Sequence, residues 1–462
     1  MLISEILLVA VVLLMQILAV IYRACRQQII SLTLLFTFAI LFYMGYFIDV
    51  PASTGFSGSY EISSHIIFYK SLILVLAIMS IVIYRNLQVM TDSHLKMEFI
   101  TLVLLSTLGT FIAISARDFL ILFCGLELQA LSGYALAAFN SKECKSSEAG
   151  LKYFVLGALM SALMLFGISF LYGFSGSINF HEIEMSLNNH VPNIGVIVGA
   201  ILVVAAILFK LSAAPLHIWT PDVYEGAPVA SVTFFAVAQK VGMLVVLLNI
   251  LGLVIGDYTS ISVDIIKIVA ILSMVVGALG AIRQHSLKRL MAYSTVLNVG
   301  YVLVGVALNT AIGKYAAFIY MFIYVMGVIG FFSCLVSLFG QNADNATFDD
   351  LKAVASKRKA LATCIAIIMF SMIGLPPLAG FFGKYYVFYN AVKQGEFTLA
   401  ILGVLTSVIA AFYYLKVIKI MYFVESDIEM KIIPTNRGLS IISGISVAFI
   451  LFFAAVAPSY IL

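Results

Sequence analysis

The sequence predicts an all-α polytopic membrane protein of about fourteen spanning helices, and three observations predict it. Of 462 residues, 63% are hydrophobic and 10% charged, where a soluble domain carries roughly 25% charged residues. Apolar stretches near the length of a bilayer crossing recur from one end to the other. Lysine and arginine gather in alternate connections between them.

The composition leaves too few polar side chains to cover a soluble protein of this length, whereas lipid tails solvate apolar side chains directly. The net charge of +4 is small, and no block of like charge suggests a nucleic-acid-binding arm. The five cysteines, Cys25, Cys124, Cys144, Cys334 and Cys364, show no CxxC or CxH spacing. Metal, haem and iron–sulfur sites built from them are not expected. The apolar N-terminus lacks a basic leader and a small-residue cleavage site, and reads as a first spanning helix.

A hydrocarbon core about 30 Å thick needs roughly 20 apolar helical residues. Such stretches fall at 2–22, 29–48, 66–84, 98–115, 118–139, 151–173, 193–211, 230–254, 262–282, 291–309, 312–339, 360–392, 397–424 and 438–461. One set of connections carries Arg23, Arg26, Arg85, Lys96, Lys142, Lys145, Lys152, Arg283, Lys288, Arg289, Lys352, Lys357, Arg358, Lys359, Lys431 and Arg437. The other set carries Arg117, Lys314 and Lys393. That asymmetry puts the first set in the cytoplasm and both termini on the outer, periplasmic side. No soluble domain is visible in the chain.

Several ionisable residues fall inside spans: Glu127, Lys70, Lys210, Lys240, Lys267, Lys384, Lys416 and Lys419. A charge at the midplane costs several kcal/mol, so it usually faces the protein interior and serves a purpose. Lys70, Lys267 and Lys419 lie near span ends, where snorkelling or a structural ion pair accounts for them. Lys416 is open to both readings. Glu127 and Lys240 sit near span centres, too deep to snorkel easily.

Lys210 and Lys384 stand beside helix breaks. The seventh span runs into Ser212-Ala213-Ala214-Pro215, and the twelfth contains Gly374-Leu375-Pro376-Pro377. Proline lacks the backbone donor and clashes with the preceding turn, so both helices should be interrupted. The breaks lie five spans apart, so the broken helices run in opposite directions. That layout predicts two inverted five-helix repeats, about 98–254 and 262–424, within one membrane domain of 1–462. Discontinuous helices at matching places point to an ion pathway at the midplane.

Five blocks carry a family resemblance. Phe209 to Pro228 reads FKLSAAPLHIWTPDVYEGAP, Glu148 to Gly157 reads EAGLKYFVLG, and Tyr172 to Ser177 reads YGFSGS. Leu287 to Thr295 reads LKRLMAYST, and Gly374 to Lys384 reads GLPPLAGFFGK. Together they resemble the N subunit of respiratory complex I, the NADH-quinone oxidoreductase, among the antiporter-like membrane subunits. The AYS and GxPP segments are also similar to multisubunit sodium/proton antiporters. The WTPDVYEGAP block is the more particular to the N subunit.

The resemblance implies a proton-translocating subunit in a bacterial inner membrane. In the family a helix-five Glu pairs with a helix-seven Lys, and lysines on helices eight and twelve continue the line. Those positions match Glu127, Lys210, Lys240 and Lys384, with Lys152 and His217 as secondary matches. NADH, FMN, iron–sulfur clusters and quinone are expected in partner subunits, and no cofactor on this chain. The expected partners are the other complex I membrane subunits and, through them, the hydrophilic arm. One departure stands out: many members carry a histidine on helix ten where this sequence has Asn298, which cannot titrate.

The proposed chemistry is the opening and closing of the Glu127–Lys210 pair, which changes whether Lys240 keeps its proton, with Lys384 handing the proton to the exit side. At an effective dielectric near 20, a pair about 4 Å apart interacts by roughly 4 kcal/mol. Moving one charge against about 200 mV takes roughly 4.6 kcal/mol, so the scales match. No GxxxxGK[ST] loop is present to supply energy from a nucleotide. The rival readings are a subunit of a multisubunit cation/proton antiporter, a membrane subunit of a hydrogenase-type complex, and a plain membrane anchor.

Overall fold

The computed structural model describes residues 3–22, 25–90, 96–188, 194–253, 259–425 and 436–456. Arg23 and Lys431 of the predicted cytoplasmic set, both chain termini and the end of the last predicted span lie outside the described residues.

The described chain divides into two compact units. The first comprises Met1–Ile81, His94–Leu211 and Ala238–Ser262, and the second Val82–Ser93, Ser212–Val237 and Val263–Leu462.

The first unit opens with α1 (Ile3–Ile21), α2 (Arg26–Tyr46) and most of α3 (Ser64–Met90), and a two-stranded hairpin, β1 (Ser53–Gly55) with β2 (Tyr60–Ile62), joins α2 to α3. The sequence reading did not anticipate this hairpin. Its turn takes Phe56, Ser57 and Gly58 through positive φ. Next come α4 (Met97–Ser115), α5 (Phe119–Ala137), α6 (Cys144–Ser175), the short α7 (Phe180–Asn188) and α8 (Ile194–Leu211). α4 and α5 cross at Gly109 and Gly125, where backbone meets backbone. A Cβ on Gly109 would lie 2.5 Å from the Gln129 amide nitrogen. α6 and α8 cross the same way at Gly167 and Gly199. Without a hydrophobic force between helices in lipid, small residues permit the close packing that holds them together. α5 packs on α6 as well, and Glu127 lies on α5.

The second unit holds α9 (Trp219–Gly226) and α10 (Val229–Phe234), then most of α12 (Thr259–Ile282), α13 (Leu287–Ala307) and α14 (Ala311–Phe339). It continues with α15 (Val354–Lys357), α16 (Lys359–Ile373), α17 (Ala379–Lys393), α18 (Phe397–Phe423) and α19 (Arg437–Val456). α13, and α14 from Ala316 onward, are almost wholly buried, so their buried polar side chains face protein. Between α10 and α11 (Lys240–Leu253) the chain takes one π-helical stretch, Phe235–Gln239, and re-enters the first unit.

Among the described residues, thirteen helices are long and apolar enough to cross a membrane, by length and composition. The remaining predicted span, 360–392, is the interrupted pair α16 and α17, each 15 residues long. The prolines predicted to interrupt helices do so: α8 ends at Leu211 ahead of Pro215, and α16 ends at Ile373 ahead of Pro376.

Candidate functional site

The chemistry of both breaks begins with backbone carbonyls. In an α-helix the carbonyl of residue i accepts from the amide four residues on. For Met372 and Ile373 those residues are Pro376 and Pro377, which have no N–H to give. The two freed carbonyls accept instead from the Lys384 ammonium, at 2.9 and 3.0 Å. Ser407 Oγ lies 2.8 Å from the same nitrogen, and the Tyr301 ring lies beneath it at 5.1 Å. Lys384 is 7% exposed.

At the first break the carbonyl of Lys210 would pair with the amide of Ala214. That amide donates to Ser273 Oγ at 2.8 Å, and Ser212 has already turned out of the helix at φ 67°. The Lys210 carbonyl therefore accepts from the Lys240 ammonium, at 2.9 Å. Lys240 is 1% exposed and follows directly on the π-helical stretch, a local irregularity that frequently marks functional positions. The preceding residue, Gln239, donates to Ser106 Oγ at 3.1 Å, and Ser106 Oγ donates to the Gln129 carbonyl at 3.2 Å.

The Lys210 side chain extends from the last turn of α8 to α5, where its ammonium donates to the Leu126 carbonyl at 3.3 Å. The next residue is Glu127, half-buried, whose carboxylate accepts from the Ser161 hydroxyl on α6. Among the described contacts no direct bridge joins Glu127 to Lys210; the Lys210 ammonium takes the carbonyl of the neighbouring residue, and the Glu127 carboxylate takes Ser161. Glu127, Lys210 and Lys240 thus form one run within the first unit, while Lys384 is held within the second.

Lys152 stands apart, in an i,i+4 ion pair with Glu148 at 2.7 Å on a half-exposed face of α6. His217 is half-buried in the segment after the first break, its ring centroid 6.5 Å from that of Tyr293. Two span-end lysines are in ion pairs. Lys70 meets Glu5 at 2.5 Å with both side chains buried, and Lys267 meets Glu396 at 2.6 Å. Lys416 lies over the Phe348 ring at 4.5 Å.

The WTPDVYEGAP block clasps the start of α13. Arg289 pairs with Asp222 at 2.9 Å and Glu225 at 2.8 Å, and Lys288 donates to the Ala227 carbonyl at 2.7 Å. Two of the sequence blocks therefore hold each other, which fixes the segment leaving the first break. Sequence reasoning missed Ser161, Gln239, Ser106 and Ser407, because isolated small polar residues in spans resemble ordinary helix-packing serines. It also did not name Glu5, although an acid inside the first span was a signal. Among the described residues, no group of three or more His, Cys, Asp or Glu gathers as metal ligands.

Two discontinuous helices, each offering a released carbonyl to a buried lysine, are a layout found in ion-carrying membrane proteins. Residues 116–410 match the model of the NADH:quinone oxidoreductase/Mrp antiporter transmembrane family. The chain is 51% identical over 461 residues to the NADH-quinone oxidoreductase subunit N of Rickettsia bellii, covering 98% of each. It belongs to the NADH-quinone oxidoreductase subunit N family, multi-pass proteins of bacterial membranes. A chain of respiratory complex I from Thermus thermophilus superposes with a TM-score of 0.81 at 26% identity, over 98% of each chain. A chain of the Mrp complex from Dietzia sp. DQ12-45-1b does so at 0.83 and 19% identity, covering 100% of this chain and 96% of that one. At that identity the likeness shows a shared fold alone.

Proposed function

We propose that this chain carries protons across the bacterial inner membrane as a subunit of NADH-quinone oxidoreductase, through Glu127, Lys210, Lys240 and Lys384. The observation that carries the proposal is the Lys240 ammonium, 1% exposed and seated on the Lys210 carbonyl that the helix break releases. A buried ammonium seated on a released dipole sits in a site that holds charge while remaining sensitive to its neighbours.

Glu127 and Lys210 supply that sensitivity. A shift of the Lys210 side chain from the Leu126 carbonyl to the adjacent Glu127 carboxylate closes an ion pair next to Lys240. Closing such a pair is worth roughly 4 kcal/mol at an effective dielectric near 20. Lys384 acts as the exit residue, and Lys152 and His217 serve as secondary stations. The two broken helices belong to two inverted repeats, 98–254 and 262–424, with both termini on the periplasmic face. The energy comes from NADH oxidation and quinone reduction in partner subunits, which also hold the cofactors.

Two measurements test this. Native electrophoresis of gently solubilised membranes, stained for NADH oxidation, should place the chain in a large NADH-oxidising band. A chain running apart from that activity would favour the antiporter function instead. The Lys240→Ala complex should then assemble, yet lose proton pumping in inverted vesicles by about 10²-fold or more. Normal pumping by an assembled Lys240→Ala complex overturns the proposal.

A further inference from the structure

α14 and α16 pack against each other within the second unit, and two glycines fix their register. A Cβ on Gly327 would lie 3.2 Å from Met372 Cε, and one on Gly330 would lie 3.0 Å from Ile368 Cδ1. A step forward along α14 is thus a step back along α16, so the two helices run antiparallel. One turn further on, the same register sets residue 334 opposite residue 364, on the same two helix faces. Both positions are cysteines. Their thiols are hydrogen-bond partners across the helix pair.

The two sulfurs differ in access. Cys334 is buried, whereas Cys364 is partly exposed. Cys364 lies one to two turns inside α16, which begins at Lys359 behind the exposed Lys357. At 1.5 Å per residue that is about 7.5 Å from the basic end of the helix, within reach of a small neutral solute. An isolated thiol in a span packs as a small apolar group. A reachable thiol touching a second one differs, because the second can complete an oxidation that the first begins. Gly327 and Gly330 let α16 approach α14 closely, as a disulfide with Cα atoms about 4.4–6.8 Å apart requires. The other three cysteines, Cys25, Cys124 and Cys144, lie in the first unit.

We propose that Cys334 and Cys364 are an oxidation site at which hydrogen peroxide closes a disulfide between α14 and α16. The Cys364 sulfur attacks one peroxide oxygen, the O–O bond breaks, and the departing oxygen leaves as water with the thiol proton. Cys364 is then a sulfenic acid. The Cys334 sulfur attacks the Cys364 sulfur, the S–O bond breaks, and the hydroxyl leaves with the Cys334 proton as a second water. The two thiols together lose two electrons and the peroxide gains them. A thiol reductant reverses the bond by exchange. The disulfide staples the first half of the interrupted helix to α14, and the last carbonyls of that half, from Met372 and Ile373, hold the Lys384 ammonium. The oxidation itself does not depend on the proton-carrying function.

The test treats the chain in its own membranes with hydrogen peroxide, then denatures it in excess N-ethylmaleimide before digestion. Mass spectrometry should find the Cys334 and Cys364 peptides joined, two hydrogens lighter than their sum, and separated again by dithiothreitol. Labelling of the two cysteines by N-ethylmaleimide should be lost together, while Cys25, Cys124 and Cys144 stay out of the link. In Cys334→Ser, Cys364 should run on to the sulfinic acid, because no second thiol captures the sulfenic acid. In Cys364→Ser, Cys334 should keep its label. Two cysteines that both stay labelled after peroxide overturn the inference. So does a parent protein in which Cys364 reaches the sulfinic acid while Cys334 remains a thiol. The deciding measurement is made on the parent protein, so it stands whether or not either variant assembles. Pumping is not read, so a Lys240→Ala complex that pumps normally removes the proposed function and leaves this inference standing.

Discussion

The Lys384 ammonium donates to the Met372 carbonyl at 2.9 Å, and Pro376 is the reason that carbonyl is available. A helix continuing through residue 376 would bind the carbonyl internally, and the buried lysine would need another acceptor. Proline here breaks the helix and also releases the acceptor that stabilises a charge far from water. At the first break the same result is reached by diverting an amide, that of Ala214, to Ser273.

Returning an N–H to position 376 should therefore weaken the hold on Lys384. In Pro376→Ala the new amide competes for the Met372 carbonyl, a hydrogen bond worth about 1 kcal/mol net. That corresponds to roughly a fivefold change in occupancy of the ammonium site. Protons pumped per NADH should fall by a similar factor in assembled complex. An unchanged yield would mean that the released carbonyl does not matter to Lys384.

Glu5 and Lys70 form a buried pair in which neither partner is replaceable alone. Breaking such a pair costs about 3–5 kcal/mol, whereas replacing both members with apolar residues of similar volume is often neutral. Glu5→Leu and Lys70→Met should each lower the amount of assembled complex on native gels, and the double variant should recover it. A double variant as poor as the singles would refute the pairing as the source of the effect. Proton pumping per assembled complex should stay near the parent value throughout, since this pair is not in the Glu127 run.

Gly109 and Gly125 let α4 and α5 meet backbone to backbone. In Gly109→Ala the new Cβ would lie 2.5 Å from the Gln129 nitrogen and 2.6 Å from the Gly125 carbonyl. Neither is a flexible side chain that can swing away. Overpacking of this kind costs about 1–3 kcal/mol. The thermal midpoint of the purified complex should drop, with pumping reduced because α5 carries Glu127. Gly173→Ala, where a Cβ meets no atom within 4 Å, should leave both unchanged.

Much of this was legible in the chain. Composition and the spacing of apolar runs place the membrane helices, and Pro215, Pro376 and Pro377 mark the interruptions. Glu127, Lys240, Lys210 and Lys384 stood out because a charge in a lipid-length helix is costly wherever the helix goes. What held those charges was not legible. Ser161, Ser407 and the Lys210 carbonyl are ordinary groups whose importance depends on which helix lies opposite. Asn298 read as a gap in the relay, and its hydroxyl surroundings come from α13, α14 and α18, far apart in sequence.

The sequence by itself determined that this protein spans a membrane, where its helices break, and which ionisable side chains are hidden from lipid. Those follow from local chemistry: transfer free energy per residue, and the missing N–H of proline. Only the tertiary structure decided which acceptor each buried lysine takes. It also decided that Glu127 is held by Ser161, that the Lys210 ammonium takes the neighbouring Leu126 carbonyl, and that Asn298 lies beside a space of about one water. Hydrogen bonds act over about 3 Å, so their partners are set by how helices cross. Those crossings depend on close approach at residues such as Gly109 and Gly125, a property of pairs of helices that neither helix carries alone.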